Sequence, residues 1–311
     1  MRAAVQRWAI GRVLYGARAA LSRARTAEAV RALVPRAAPF VARKETYASE
    51  PVAMGEAHGR WITPAGSPQG GIILYFHGGG FIAECGSIHD ALLAAIARAA
   101  GARGLMIDSR LAPEHPYPAA ADDCFAAWNW MLSTGFDPAR VVFAGDSAGG
   151  NLALVTAMHA RDEGLPLPAA IVLMSPVLDL TFSGPSFARN DGIDPMFRAE
   201  TARRLQDWYA PGLDLEDPRI SPLFGRADGL PPTQLHVGSS ELLLDDTLRY
   251  SAKAPRSLAA VWHGMPHVFP AIRGLVDGDR AIAEMAAFIR EHTSEATRGA
   301  QERTACTRSP A

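Results

Sequence analysis

The stretch that most constrains this chain is Val141 to Arg161. The apolar run Val141-Val142-Phe143-Ala144 meets Gly145-Asp146-Ser147-Ala148-Gly149-Gly150, and an Ala/Leu-rich helical pattern follows from Leu152 to Arg161. A β-forming run, a serine between glycines and a helix read as strand, sharp turn, helix. The turn forces Ser147 into a strained backbone conformation, which the flanking glycines keep free of clashes. It leaves the hydroxyl clear at the carboxyl end of a strand, above a helix N-terminus. A lone serine hydroxyl is a poor nucleophile; it needs a base, an acid to orient the base, and donors for an oxyanion.

The remaining pattern places that turn in a layered fold. Short apolar runs at 72–76, 104–108, 141–145, 169–175, 233–238 and 258–262 alternate with helical patterns at 87–100, 119–132, 148–161, 245–254 and 279–292. This alternation predicts an α/β fold, a mostly parallel central sheet with helices on both faces. Short strands are expected between Tyr47 and Ile62. The 311 residues suit one large domain spanning 1–311. The longest gap, Val177 to Pro232, is rich in turn residues and also holds Phe182, Phe187, Met196, Phe197 and Trp208. It reads as an insertion over the sheet's carboxyl edge. With the amino-terminal segment it gives a helical cap, built from 1–45 and about 180–230. The polar stretch 293–311 reads as a disordered tail.

A net charge of −1 and 20% charged residues give no global pull toward nucleic acid. Cys85, Cys124 and Cys306 are odd in number and show no metal-ligand spacing, so they read as reduced thiols and point to a cytoplasmic location. No apolar run approaches the roughly 20 residues a membrane span needs. The amino end is biased: Arg2, Arg7, Arg12, Arg18, Arg23 and Arg25 all precede the first acid, Glu28, with Trp8, Ile10, Val13, Leu14 and Leu21 among them. It reads as amphipathic helices packed on the domain. A weak contact with an anionic membrane surface is the sharper alternative, a targeting peptide is another, and a homodimer stays open.

Candidates for the other chemical roles follow in order. His77-Gly78-Gly79-Gly80 directly follows a strand, and three glycines there offer bare backbone N–H groups. In acyl transfer such groups, with the N–H of Ala148, hold a developing oxyanion. A base must lie downstream of Ser147 if the order is nucleophile, acid, base. His267 sits after the last strand and before the last helix, where such a sheet presents residues at its carboxyl edge. His263 is its rival, nearer the strand. For the acid, Glu241 lies closest to the end of the preceding strand; Asp245 is the alternative, and Asp246 can instead cap the helix. The acid would accept the ring N–H of His267 and fix its tautomer.

Together with Asp108–Ala120 and Gly264-Met265-Pro266-His267, these stretches resemble the hormone-sensitive-lipase-like carboxylesterases (bacterial family IV) of the α/β-hydrolase fold. The likeness runs from about Trp61 to Arg290, its motifs in the same order. It implies Ser147 as nucleophile, His267 as base, and Gly79, Gly80 and Ala148 as the oxyanion hole. It also implies that Arg110–Glu114 is structural, with an ion pair bracing the floor of the site. The expected activity is hydrolysis of short- to medium-chain acyl esters, with no cofactor and no metal. A non-catalytic small-molecule receptor, an amidase or an acyltransferase on the same scaffold are the alternatives. The sequence departs from the family where Glu241 replaces the more usual Asp and where the segment between Tyr250 and Trp262 is short. Ser109 stands for an aromatic, and Glu84-Cys85 stands for Gly-Ser. Glu84 is expected to point to solvent, with repulsion of anionic acyl groups as the alternative, and Cys85 to pack.

Overall fold

Five strand ends that finish level along one edge decide where this molecule can do chemistry. The computed structural model describes residues 2–66, 70–84 and 86–306. Cys85 and residues 307–311 of the expected tail lie outside them. The chain opens with α1 (Arg2–Arg23), α2 (Ala27–Arg31) and α3 (Val34–Val41), then the hairpin β1 (Tyr47–Met54) and β2 (Ala57–Pro64). There follow β3 (Ile72–Phe76), α4 (Ser87–Ala100), β4 (Arg103–Ile107), α5 (Ala119–Ser133), β5 (Val141–Asp146), α6 (Ala148–Asp162) and β6 (Ala170–Met174). The insertion carries α7 (Pro185–Arg189) and α8 (Ala199–Tyr209); β7 (Thr233–Gly238), α9 (Leu244–Lys253), β8 (Ser257–Trp262) and α10 (Val276–Cys306) complete the chain. The strands form a single sheet in the order β1-β2-β4-β3-β5-β6-β7-β8, parallel from β4 to β8 and antiparallel at β1 and β2.

Register aligns the strand ends. Phe76 pairs with Gly145, Asp146 with Met174, Met174 with His236, and Gly238 with Trp262. The loops after β3, β5, β6, β7 and β8 therefore all leave the same edge, and each strand-end candidate from the sequence sits on one of them. Alternation along the strands fills two cores, as period-2 geometry requires. Leu74, Phe76, Phe143 and Leu173 join α5, α6 and α9; Ile73, Tyr75, Val142 and Val172 join α4 and α10.

The insertion and the amino-terminal helices meet over the carboxyl edge. Tyr15 Oη donates to Ile193 O (3.1 Å), Arg18 to Asp194 O (2.7 Å), Arg204 to Leu21 O (3.3 Å), and Arg25 pairs with Glu200 (2.7 Å). Arg18 and Arg25 of the basic amino end thus serve contacts within the chain. The Arg110–Glu114 stretch braces through two separate pairs: Arg110 grips Asp123, while Glu114 binds Arg31 of α2 (2.6 Å). Arg31 also donates to Ile82 O and Ala112 O, which ties α2 to the loop after β3.

Three expectations change. Glu84 does not stand free in solvent but joins Arg60 together with Asp90 and Asp108, because a half-buried guanidinium gathers the carboxylates around it. The loose tail from Thr293 is instead the continuation of α10 as far as Cys306. Ala, Gln, Glu and Arg are good helix formers, and extending an existing helix avoids the cost of nucleation. Asp246 does not cap α9: it lies inside the first turn and accepts Leu178 N (2.7 Å) and Asp179 N (3.0 Å). The short segment after Tyr250 leaves only 254–256 between α9 and β8. Among the described residues no helix is long and apolar enough to cross a membrane.

Candidate active site

Ser147 occupies the turn between β5 and α6 at φ 52°, ψ −120°, a conformation L-residues rarely adopt. The turn is tight because α6 starts against the end of β3. A Cβ on Gly149 would lie 1.9 Å from Phe76 O, so only glycine fits there. Ser147 N donates to Met174 O (2.9 Å) and Ser147 O accepts from Val177 N (3.2 Å), which fixes the turn to the end of β6.

The loop after β3 lies beside it. Gly79 has φ 111°, and a Cβ there would meet Ala83 O at 1.8 Å. Its carbonyl accepts Ile82 N and Ala83 N, closing the loop into a turn. Among the described residues no partner takes the N–H of Gly79 or Gly80. Ala148 is the first residue of α6, where an N–H has no intrahelical acceptor. Asp146 anchors the loop from below: its buried carboxylate accepts Tyr75 Oη (2.7 Å) and Gly78 N (3.1 Å) and meets His89 Nε2 (3.2 Å). Burial opposes its charge, but His89 and those donors outweigh the penalty and hold its pKa below the ordinary carboxylate value.

His267 and Glu241 are in direct contact. His267 Nδ1 is 2.9 Å from Glu241 Oε2, with both side chains almost wholly buried. Glu241 Oε1 accepts Ser175 Oγ (2.8 Å) and Gly238 N (2.5 Å), so the carboxylate is fixed from both sides. Ser175 Oγ in turn accepts Val268 N (2.9 Å), locking the His267 loop to the same point. His267 Nε2, on the opposite edge of the ring, has no hydrogen-bond partner among the described residues. His267 and Ser147 line the same two cavities. Burial of the imidazole lowers its pKa, but the bond and charge of Glu241, with the charges of Asp194 and Asp146, outweigh that and leave it raised.

The rival candidates are placed differently. Asp245 accepts Ser186 N (2.5 Å) of α7, and His263 is exposed. The aromatic residues of the insertion divide between roles. Phe182 and Phe197 line the smaller cavity, Met196 and Phe197 the larger, and Phe187 stacks on Phe182 at 4.3 Å. Trp208 packs against the hydrophobic core. Phe197 also sets its ring edge-on to His267, with centroids 5.0 Å apart.

Asp194 escaped the sequence analysis. It is 1% exposed, lines the smaller cavity, and accepts Met196 N (2.7 Å), Phe197 N (3.1 Å) and Leu242 N (3.0 Å). It thereby ties the segment carrying Phe197 to the residue after Glu241. Burial raises its pKa, against the pull of His267 and of its backbone donors. The available signal was an Asp-Pro pair in a turn-rich insertion, which local pattern cannot separate from an ordinary turn. Among the described residues no cluster of His, Cys, Asp and Glu is arranged to hold a metal ion.

Comparison with known proteins adds to this geometry. A family model described as alpha/beta hydrolase fold matches residues 73–271. An acetyl-hydrolase of Streptomyces hygroscopicus is 36% identical over 255 residues, 78% of this chain and 83% of the relative. An esterase of Acinetobacter venetianus is 34% identical over 223 residues, 70% and 74% of the two chains. Among solved structures, an esterase from the bacterial hormone-sensitive lipase family matches with a TM-score of 0.85 at 33% identity, covering 92% of this chain and 97% of that one.

Proposed function

The chain belongs to the alpha/beta hydrolase fold family and, within it, to the hormone-sensitive-lipase-like carboxylesterases, and from that premise we propose that it cleaves short- to medium-chain acyl esters through Ser147, His267 and Glu241. The observation that carries this reading is the buried His267–Glu241 pair, whose far nitrogen has no hydrogen-bond partner among the described residues and lies on the cavities that Ser147 also lines.

His267 Nε2 removes the Ser147 proton as the hydroxyl attacks the ester carbonyl. Negative charge gathers on the carbonyl oxygen, held by the N–H groups of Gly79, Gly80 and Ala148; losing one such donor typically costs about 10²–10³ in rate. The imidazolium then protonates the leaving alcohol, and water repeats the sequence on the acyl-enzyme. Glu241 keeps the Nδ1 proton in place and stabilises the imidazolium without becoming protonated. A fluorophosphonate probe should label Ser147, located by peptide mass mapping, and p-nitrophenyl butyrate should give a burst equal to the enzyme concentration. Label on another residue would refute the assignment.

A pH dependence follows from the charges around the imidazole. His267 must be neutral to accept a proton, so the rate falls as pH drops through its pKa. Glu241, Asp194 and Asp146 all favour the imidazolium. Asp194→Asn removes one of these charges, so the acid limb of the kcat/KM profile should move to lower pH. A limb that stays in place while kcat falls at every pH would leave Asp194 only the task of holding its loop.

A further inference from the structure

The cavities on either side of Ser147 are very unequal. Both are lined by Gly80, Ser147 and His267, and Phe197 and Leu205 stand between them, since each contributes to both walls. One measures about 60 Å³ and the other about 550 Å³. The first has room for only a short limb. The second lies within the range of about 300–1,000 Å³ typical of sites for whole small-molecule ligands.

The larger cavity owes its roof to the amino-terminal helix. Val13, Leu14, Ala17, Ala20 and Leu21 fall on one stripe of α1, the pattern that ordinarily seals a helix onto a core. Here Leu14 reaches the core and Leu21 packs beside it, yet the same stripe also lines the larger cavity, with Ile88, Val268 and Ile272 among its other walls. The helix is held at its rim by polar bonds, from Tyr15 to Ile193 O, from Arg18 to Asp194 O and from Arg204 to Leu21 O. An apolar guest would take this mostly apolar wall out of water, which is favourable in proportion to the area covered. Of the polar groups at the Ser147 end, His89 and Asp146 are already bonded to each other. Besides His89 and His267, Arg36 is the one basic side chain on the wall among the described residues.

Resting on the reading of Ser147 as nucleophile, we propose that the substrates of this enzyme are asymmetric esters. One limb is long or bulky and apolar and lies under α1; the other has only a few carbons and occupies the small cavity behind Phe197. Each methylene added to the long limb gains about fourfold in kcat/KM until the chamber is filled.

The test is a crossed series of ethyl acetate, hexyl acetate, ethyl hexanoate and hexyl hexanoate, followed by acid release below their solubility limits. The better of the two esters with one long limb should exceed ethyl acetate by about 10²-fold, and hexyl hexanoate should fall below that ester by tenfold or more. Equal turnover of hexyl hexanoate, or no gain over ethyl acetate, overturns the proposal. Ala17→Trp and Ala20→Trp, made separately, each place an indole on the α1 wall of the chamber. Each should cut kcat/KM for the preferred long-limb ester at least tenfold more than it cuts kcat/KM for ethyl acetate. An equal fall on both substrates, at an unchanged melting temperature, also overturns it. The crossed series on the unsubstituted enzyme decides the question without the variants. Failure to cleave any ester, with Ser147 unlabelled, would instead defeat the nucleophile assignment.

Discussion

Ser147→Ala is expected to lower kcat for p-nitrophenyl butyrate by about 10⁶-fold while KM stays near its original value. The size follows from the proposed role of the residue: without the hydroxyl no acyl-enzyme could form, and the base and orienting acid would have nothing to act on. In a serine protease, removing the nucleophile costs as much as removing all three members of the triad, about 10⁶ in kcat. The residual rate comes from the oxyanion donors and from binding, which the substitution leaves intact. The fold should survive, because Ala and Ser carry the same penalty at φ 52°. Thermal unfolding by circular dichroism would confirm that, and steady-state kinetics after active-site titration would measure the loss. A variant keeping more than about a hundredth of the activity would place the nucleophile on another residue, since the oxyanion donors alone cannot supply that rate.

Glu241→Gln should cost about 10⁴ in kcat, by a route that can be read atom by atom. Oε1 of Glu241 is held by Ser175 Oγ and Gly238 N, both donors, so the amide oxygen of Gln would take that position. Its NH₂ group would then face His267 Nδ1, where Oε2 accepts now. A donor at that place requires Nδ1 to accept, which moves the ring proton to Nε2. Such an imidazole cannot take the Ser147 proton, and a wrong tautomer of this kind costs about 10⁴ in the serine-protease template. Asp245→Asn serves as the control. The Asp245 carboxylate is engaged by Ser186 N rather than by the imidazole, so that variant should keep kcat within a few-fold. Near-normal turnover by Glu241→Gln would remove Glu241 from the mechanism.

These effects rest on residues that the sequence reveals to different degrees. The segment from Val141 to Arg161 declares its shape, because strand, turn and helix are each set by neighbours within a few residues. The same holds for the alternation that produces the parallel sheet and for the glycine loop after β3. Where the sequence offered Glu241 and Asp245 together, the choice lay beyond it. A turn of chain separates them, and only the packing of α7 shows that Asp245 is taken by Ser186 while Glu241 lies against His267. The partner of Arg110 was likewise open, and Glu84, expected in solvent, is drawn to Arg60 by segments distant in the chain.

What the sequence determined by itself, then, was the sheet, its helices and the loops from which chemistry could be done, since periodicity, β-branching and glycine act over short range. What only the tertiary structure decided was which side chains meet. The Asp194 carboxylate against the Glu241 loop, the Asp146–His89 contact beneath the glycines, and the hollow under α1 all join residues far apart in the chain. Their distances come from strand register and helix packing, and a shift of one residue in either would separate groups that hydrogen bonding requires to lie within about 3 Å.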